Sequence, residues 1–293
     1  MNSIAFGRYS PYETFTHHLD ARNKLFLTIL FIVGIFFQFS VWSTTIFMTL
    51  VYLVLILLIM IISRVSFLEL LNSLKGMWIL IIFMFAIYIF IPNSTYKGPV
   101  AFNIGFDVYW QAFYQAGYII LRLVLMVALM MVLTSTTKPM DLTYAFEWYM
   151  TPLKVLHFPV HAVAMTLSIA LRFIPTLLEE TDRIMKAQAS RGVDFNHGRL
   201  MKRFKAIISL IIPLFISAID RSEELSNAME ARGYDPKAKR TRFKVLRFTY
   251  RDLIAFLLIG GLFALIIVLF VYDNTHEGGI NLLKMLFNWD VGF

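Results

Sequence analysis

The chain has 293 residues, 58% hydrophobic and 16% charged, with 28 Phe, no Cys and a formal net charge of +8. A soluble domain carries about 25% charged residues, so this composition belongs in lipid. Without Cys there are no disulfides and no thiolate metal sites, and a pI near 9.6 in such a chain reflects basic loops rather than nucleic-acid binding.

The N-terminal segment holds Gly7-Arg8-Tyr9 and then His17-His18-Leu19-Asp20-Ala21-Arg22-Asn23-Lys24-Leu25. Asp20 is placed to cap a first helix, with Arg22 and Lys24 at the headgroup level. Taken alone this is a cap and a membrane anchor. No cleavable signal peptide is expected, because the first apolar run begins only at Leu25 and no small-residue cleavage site follows it.

From Leu25 to Ile62 there are 38 residues without a charge. A single helix of that length would measure about 57 Å, against a hydrocarbon core of about 30 Å. The run therefore reads as two spans, 25–39 and 42–62, joined by a tight turn at Ser40 to Ser43. A third span is expected over 77–91. The stretch 92–107, with Pro-Asn-Ser, Lys-Gly-Pro and Asn-Ile-Gly signals, reads as a turn-rich loop with hairpin character. A fourth span, 113–133, carries one charge, Arg122. The last, 253–272, is charge-free, and Gly260-Gly261 and Ala264 suggest close helix packing there.

Between them, 134–252 is too apolar for an ordinary soluble domain and too often interrupted by charge for clean spans. Apolar stretches of about 10–14 residues favour interfacial or protein-buried helices. Three are expected: 140–156, 160–191 bent near Pro175, and 199–232 bent near Pro213. The fold class is thus an all-α integral membrane protein of about five transmembrane helices plus a cytoplasmic or interfacial region of three long helices. The segments are 1–133, 134–252 and 253–293.

Lys and Arg number three in the N-terminal segment, two in 63–76, nineteen in 134–252, one in 92–110 (Lys97) and one in the C-terminal tail (Lys284). Cytoplasmic loops are the Lys/Arg-rich ones. The N-terminus and 134–252 are accordingly expected inside and the C-terminus outside, a parity that five spans satisfy.

The most informative pattern is a repeat within 134–252. Pro175-x6-Asp182-Arg183-x7-Arg191-Gly192-x-Asp194 is followed by Pro213-x6-Asp220-Arg221-x10-Arg232-Gly233-x-Asp235. Gly is the usual residue just past a helix C-terminus and Arg suits the last turn, so one Arg-Gly reads simply as a helix stop. Two copies sharing an upstream Asp-Arg pair and a downstream Asp read as paired tips. The planar, permanently charged Arg fork suits carboxylates at an interface. Small neighbours, Ala187, Ala189, Ala228 and Ala231, let the tips approach another surface closely, and Ser190 and Glu230 complete the two coupling segments.

These motifs resemble those of the transmembrane T component of energy-coupling factor (ECF) transporters. That family opens with a Gly-x-Tyr and a His-x-Leu-Asp-Pro-Arg-x-Lys segment, matched here by Gly7, Tyr9, His17, Leu19, Asp20, Arg22 and Lys24. Ala21 stands where the family has Pro, a position whose geometry Ala tolerates. The family also carries two Ala/Ser-Arg-Gly coupling motifs, matched by Ser190-Arg191-Gly192 and Ala231-Arg232-Gly233. The resemblance runs from Gly7 through the last span. It implies that Arg191 and Arg232 dock on two ABC-type ATPase subunits, which bind the ATP and Mg. It also implies that the apolar faces of 140–232 hold an integral-membrane substrate-binding S component for a vitamin or metal ion, in a bacterial cell membrane.

What the sequence lacks points the same way. The nearest glycine pair to a Walker A loop, Gly192 and Gly198, is followed by Arg199-Leu200 rather than Lys-Ser/Thr. A lipid- or prenyl-modifying enzyme would need an acidic cluster such as D-D-x-x-D, and none is present. Paired intramembrane carboxylates, the mark of a proton-coupled pump, are also missing. His157 and His161 are four apart but have no acidic third ligand nearby, so no metal site is expected. The basic run Lys237 to Arg251 reads as an anionic-lipid contact and not as a nucleic-acid site. Arg122 is either paired with a carbonyl or carboxylate of a neighbouring helix or directly functional.

Overall fold

The computed structural model describes residues 12–90, 100–103, 107–195, 200–235 and 248–275. Gly7-Arg8-Tyr9, Lys97, His197, the basic run from Lys237 to Arg247 and the tail with His276 and Lys284 lie outside them. Two compact units make up the chain, Met1–Leu142 with Leu246–Phe293, and Thr143–Val245.

The first unit contains α1 (Ala21–Phe36), α2 (Trp42–Ile62), α3 (Phe67–Gly76), α4 (Trp78–Phe90), β1 (Val100–Asn103), β2 (Asp107–Tyr109), α5 (Trp110–Thr136) and α9 (Tyr250–Thr275). Helices are the expected solution in lipid because each satisfies its own backbone. The two strands pair antiparallel as a hairpin within the turn-rich loop. The segment 63–76, read from sequence as a loop, instead forms α3, bent 65° against α4. Its signal is a Ser66-x-x-Glu69 start with Lys75 in the last turn, charges that complement the helix dipole.

Among the described residues four helices, α2, α5, α9 and α7 of the other unit, are long and apolar enough to cross a membrane, or five if the α3–α4 pair counts as one span. With 16 residues, α1 is only about 24 Å long and is not one of these spans, yet the segment it belongs to runs alongside the length of α9. Asp252 near the start of α9 accepts the Asp20 N–H at 2.7 Å, and Asp273 near its end accepts the Ser40 N–H at 2.7 Å. These carboxylates are about 31 Å apart along the helix, the thickness of a hydrocarbon core. The chain from Asp20 to Ser40 therefore bridges that thickness, completing it with extended backbone beyond Phe36. Both carboxylates are buried, so α9 is fastened by charge-assisted hydrogen bonds to the start of α1 at one end and to Ser40, beyond the end of α1, at the other.

The core of this unit joins Phe31 and Ile35 of α1, Tyr52 and Ile56 of α2, Leu125 and Leu129 of α5, and Ile266 of α9. The close approach falls at Gly34, not at Gly260-Gly261. A Cβ on Gly261 would meet nothing within 4 Å, whereas one on Gly34 would collide with the Tyr52 hydroxyl. Gly34→Ala is expected to lower stability by about 1–3 kcal/mol, the cost of overpacking a filled core, and Gly261→Ala to be neutral or better; thermal unfolding in detergent compares the two.

The second unit contains most of α6 (Pro139–Met150), a 3₁₀ turn (Thr151–Leu156), α7 (Val160–Ser190) and α8 (Leu200–Ala231). The single helix expected over 140–156 is α-helical only to Met150. Pro152 sits at the head of the tighter turn, which His157 closes with a left-handed φ of 58°. Both α7 and α8 run through their internal prolines, Pro175 and Pro213. They lie antiparallel in constant register: Ser217 donates to Glu180 at 2.6 Å, Arg221 to Thr176 at 3.1 Å, and the Tyr234 hydroxyl to Met165 at 3.2 Å.

Candidate functional site

The two Arg-Gly sites close their helices by the same hydrogen bonds. At the end of α7, Gly192 N–H donates to Ala189 O at 2.9 Å and Val193 N–H to Gln188 O at 3.1 Å. At the end of α8, Gly233 N–H donates to Glu230 O at 2.9 Å and Tyr234 N–H to Met229 O at 3.0 Å. Each is a Schellman closure, which needs a left-handed residue after the cap. Gly192 and Gly233 supply it with φ of 87° and 70°. Arg191 and Arg232 occupy the equivalent cap position, and both are exposed, as are Ala189, Ser190, Glu230 and Ala231. A Cβ on either glycine would meet nothing, so only the backbone conformation demands Gly. Gly192→Ala and Gly233→Ala are each expected to cost about 1 kcal/mol, mainly as fraying of the last turn, visible as faster amide exchange at Val193 or Tyr234.

Because α7 and α8 are antiparallel, the tips lie at opposite ends of the pair. Tyr234 contacts Met165, and Met165 lies 26 residues before Arg191, so the tips stand about 40 Å apart along the pair.

The Asp-Arg pairs shared by the repeat diverge in role. Asp182, Arg183 and Asp220 are exposed and make no ion pair among the described residues. Arg221 instead reaches across to α7, donating to Glu180 Oε2 at 2.9 Å and to Thr176 Oγ1 at 3.1 Å. Ser217 takes the other Glu180 oxygen, and Phe173 lies under the guanidinium at 5.8 Å. Glu180, with Thr176 and Ser217, is thus the missed half of this clamp. From sequence it looked only like a charge interrupting an apolar run.

The N-terminal motif builds a buried polar cluster. Asp20 caps α1 as expected, its Oδ1 accepting the Arg22 N–H at 2.9 Å; the Arg22 guanidinium lies 3.7 Å from that same oxygen. Lys24 departs from expectation: it does not reach the headgroups but turns inward, 8% exposed. Its Nζ donates to Thr136 O at 2.8 Å, with Thr137 Oγ1 and His17 O at the edge of reach. Lys24 stands one residue before the apolar run, and the negative charges of Asp141, Asp252 and Asp20 offset only part of the cost of burying its ammonium. His17 also bonds Thr14 through Nδ1 at 2.7 Å, and with His18 it lines a crevice of about 350 Å³.

Asp252 is the residue that sequence reading missed. It is 1% exposed and accepts the Asp20 N–H on one oxygen and the Thr249 N–H, at 2.8 Å, on the other. Asn23 Nδ2 adds a bond to its carbonyl at 2.9 Å. The Thr249-x-x-Asp252 spacing is a capping box, the signal that marks it.

Among the described residues Arg122 meets neither a carbonyl nor a carboxylate. Its guanidinium lies 4.1 Å over the Phe36 ring and 5.9 Å from that of Tyr118. His161 Nδ1 lies 3.6 Å from Glu147, and no group of three metal-capable side chains occurs among the described residues.

Such a helical bundle with long apolar spans is an integral membrane protein. Residues 12–244 match the cobalt transport protein family, CbiQ. The chain is 44% identical over 253 residues to the energy-coupling factor transporter transmembrane protein EcfT of Brevibacillus brevis, covering 86% of this chain and 92% of that protein. It is 41% identical to the EcfT proteins of Bacillus subtilis, over the same shares, and of Staphylococcus aureus, over 92% of this chain and 97% of that one. The chain belongs to this family, as an EcfT-type transmembrane component of an energy-coupling factor transporter. It is a non-catalytic coupling component that works in a complex, with ATP hydrolysis left to partner subunits.

Proposed function

We propose that the α7 and α8 tips are the docking contacts for two ABC-type ATPase subunits, one tip to each. Arg191 and Arg232 supply the charged forks. Ala189, Ser190, Gly192, Glu230, Ala231 and Gly233 form the small surface around them. The ATPase subunits hold the ATP and Mg, and this chain carries no cofactor. An integral-membrane S component rests on apolar faces of 140–232, where Ile207, Ile211, Ile212, Phe215, Ile216 and Ile219 are exposed, and delivers a vitamin or another micronutrient. The observation that carries the reading is the pair of like, exposed Arg caps at opposite ends of one antiparallel helix pair. A spacing of about 40 Å suits two separate partners better than one pocket.

The reading puts the N-terminus and residues 134–252 in the bacterial cytoplasm and the C-terminus outside, in accord with the Lys and Arg bias. The ends of the spans support the same parity. Thr136 at the end of α5 and Asp252 near the start of α9 both meet the Asp20 end of α1, so the chain leaves and re-enters the membrane unit on one side. A crossing by α7 would then require a return through α8, which has no apolar window of spanning length.

The test is co-purification of the tagged full chain with its ATPase subunits from native membranes. Arg191→Glu/Arg232→Glu is expected to insert normally and to lose association by at least about a hundredfold, as reversal of two interfacial charges costs several kcal/mol. Undiminished association would remove the tips from the docking role.

A further inference from the structure

We propose that a halide ion, chloride in the cell, is bound inside the membrane unit between Arg122 and Tyr52. Arg122 lies on α5 fourteen residues before Thr136, about 21 Å from that face of a core of about 30 Å and about 9 Å from the other. An ionised guanidinium at such a depth is costly unless a counter-charge accompanies it, and it does not deprotonate. Among the described residues no carboxylate lies within ion-pair distance of it. The faces of Phe36 and Tyr118 offset part of the charge but leave the in-plane donors unused. Nε and Nη2 are buried without a hydrogen-bond partner.

A third orphan donor faces the same space. Tyr52 is 5% exposed, and its hydroxyl also lacks a partner. The ring is held edge-on by Phe31 at 5.1 Å, and the hydroxyl lies where any side chain on residue 34 would stand, so Gly34 is what admits it. Arg122, Tyr52 and Gly34 line one cavity with Thr45 and Thr49. Both threonine hydroxyl protons are engaged, Thr45 with Phe39 O or Val41 O and Thr49 with Thr45 O.

Buried donors are almost always satisfied, by an ion or water where protein groups fail. About 10 Å³ of free space is just enough for one water; a halide, somewhat larger, fits as the side chains around it draw back slightly, and phosphate or a carboxylate ligand is excluded. Charge decides between the two that fit. Water would satisfy the donors and leave the guanidinium uncompensated, whereas a halide accepts from all three and neutralises it.

The test is thermal unfolding of the full-length protein in detergent, with sodium chloride or bromide replacing sodium gluconate at constant ionic strength. The wild-type midpoint is expected to rise saturably with either halide. Tyr52→Phe should need about tenfold more halide for half the effect, the loss of one hydrogen bond to a charge, and Arg122→Gln should lose the effect. Should Arg122→Gln fail to fold, Tyr52→Phe and an anomalous bromide peak beside Arg122 in wild-type crystals decide the question in its place. A wild-type midpoint indifferent to halide would overturn the proposal in favour of water. A halide effect unchanged in both variants would place the ion elsewhere and overturn it equally.

Discussion

Asp252→Ala is expected to reduce the unfolding free energy by about 3–5 kcal/mol, the range for breaking a buried charge network. The carboxylate is 1% exposed, and its removal strands three groups together. The buried Asp20 N–H loses its acceptor, at about 1–3 kcal/mol, and the Thr249 N–H loses its own at a smaller cost because that residue is exposed and water can replace it. The buried ammonium of Lys24 loses one of the carboxylates that favour its charged form. Part of the loss relaxes as water enters at the membrane surface, which keeps the sum below the addition of its parts. Asp252→Asn retains one acceptor oxygen and should fall between. Unfolding in detergent with a graded denaturant measures all three. A loss under about 1 kcal/mol for the alanine variant would mean that the cluster does not fasten α9 to α1.

Glu180→Ala is expected to leave ATPase association intact and to lower substrate uptake by about tenfold or more. Glu180 is the acceptor for both Ser217 and Arg221, so a single change opens the α7–α8 clamp. The pair is part-exposed, with side-chain exposures of 32% and 22%, and its direct contribution to stability is modest, about 1 kcal/mol. The larger consequence is mechanical. Two tips about 40 Å apart transmit motion only if the helices between them move as one body, and about 1.4 kcal/mol of lost coupling is tenfold. The exchanged pair Glu180→Arg/Arg221→Glu should recover a good part of the uptake, an outcome that separates the ion pair from mere disturbance of α7. Uptake equal to wild type in Glu180→Ala would remove the clamp from the coupling path.

The spans α2, α5 and α9 were legible because long apolar runs bounded by charge leave little choice in lipid. By contrast α1 is shorter than expected, and α7, expected as interfacial or buried, is apolar enough to span. The tips were legible because Arg-Gly at a helix end has a backbone reason that the structure repeats twice. The clamp was not, since Asp182-Arg183 and Asp220-Arg221 look alike in sequence, and only the antiparallel register gives Arg221 a partner in Glu180 while Arg183 faces outward. Asp252 escaped for a related reason: a capping box names its own helix end, but not the Asp20 N–H from the far end of the chain. Lys24 differs from expectation because a lysine flanking a span usually snorkels, and only the position of the Thr136 carbonyl turns it inward. Gly260-Gly261 misled because a glycine pair signals close packing only when a partner helix faces it. Gly34, alone on α1, holds the contact through a tyrosine on α2.

The most direct measurement of tip docking uses the absence of native Cys. Single cysteines at Ala189 and Ala231, both exposed beside the Arg caps, would carry a short photo-crosslinker in native membranes, with Val155→Cys as an exposed control in the same unit. Docking through the tips predicts adducts to ATP-hydrolysing subunits from both of them and none from the control. Labelled tips that yield no such adduct, or an adduct from the control alone, would contradict it.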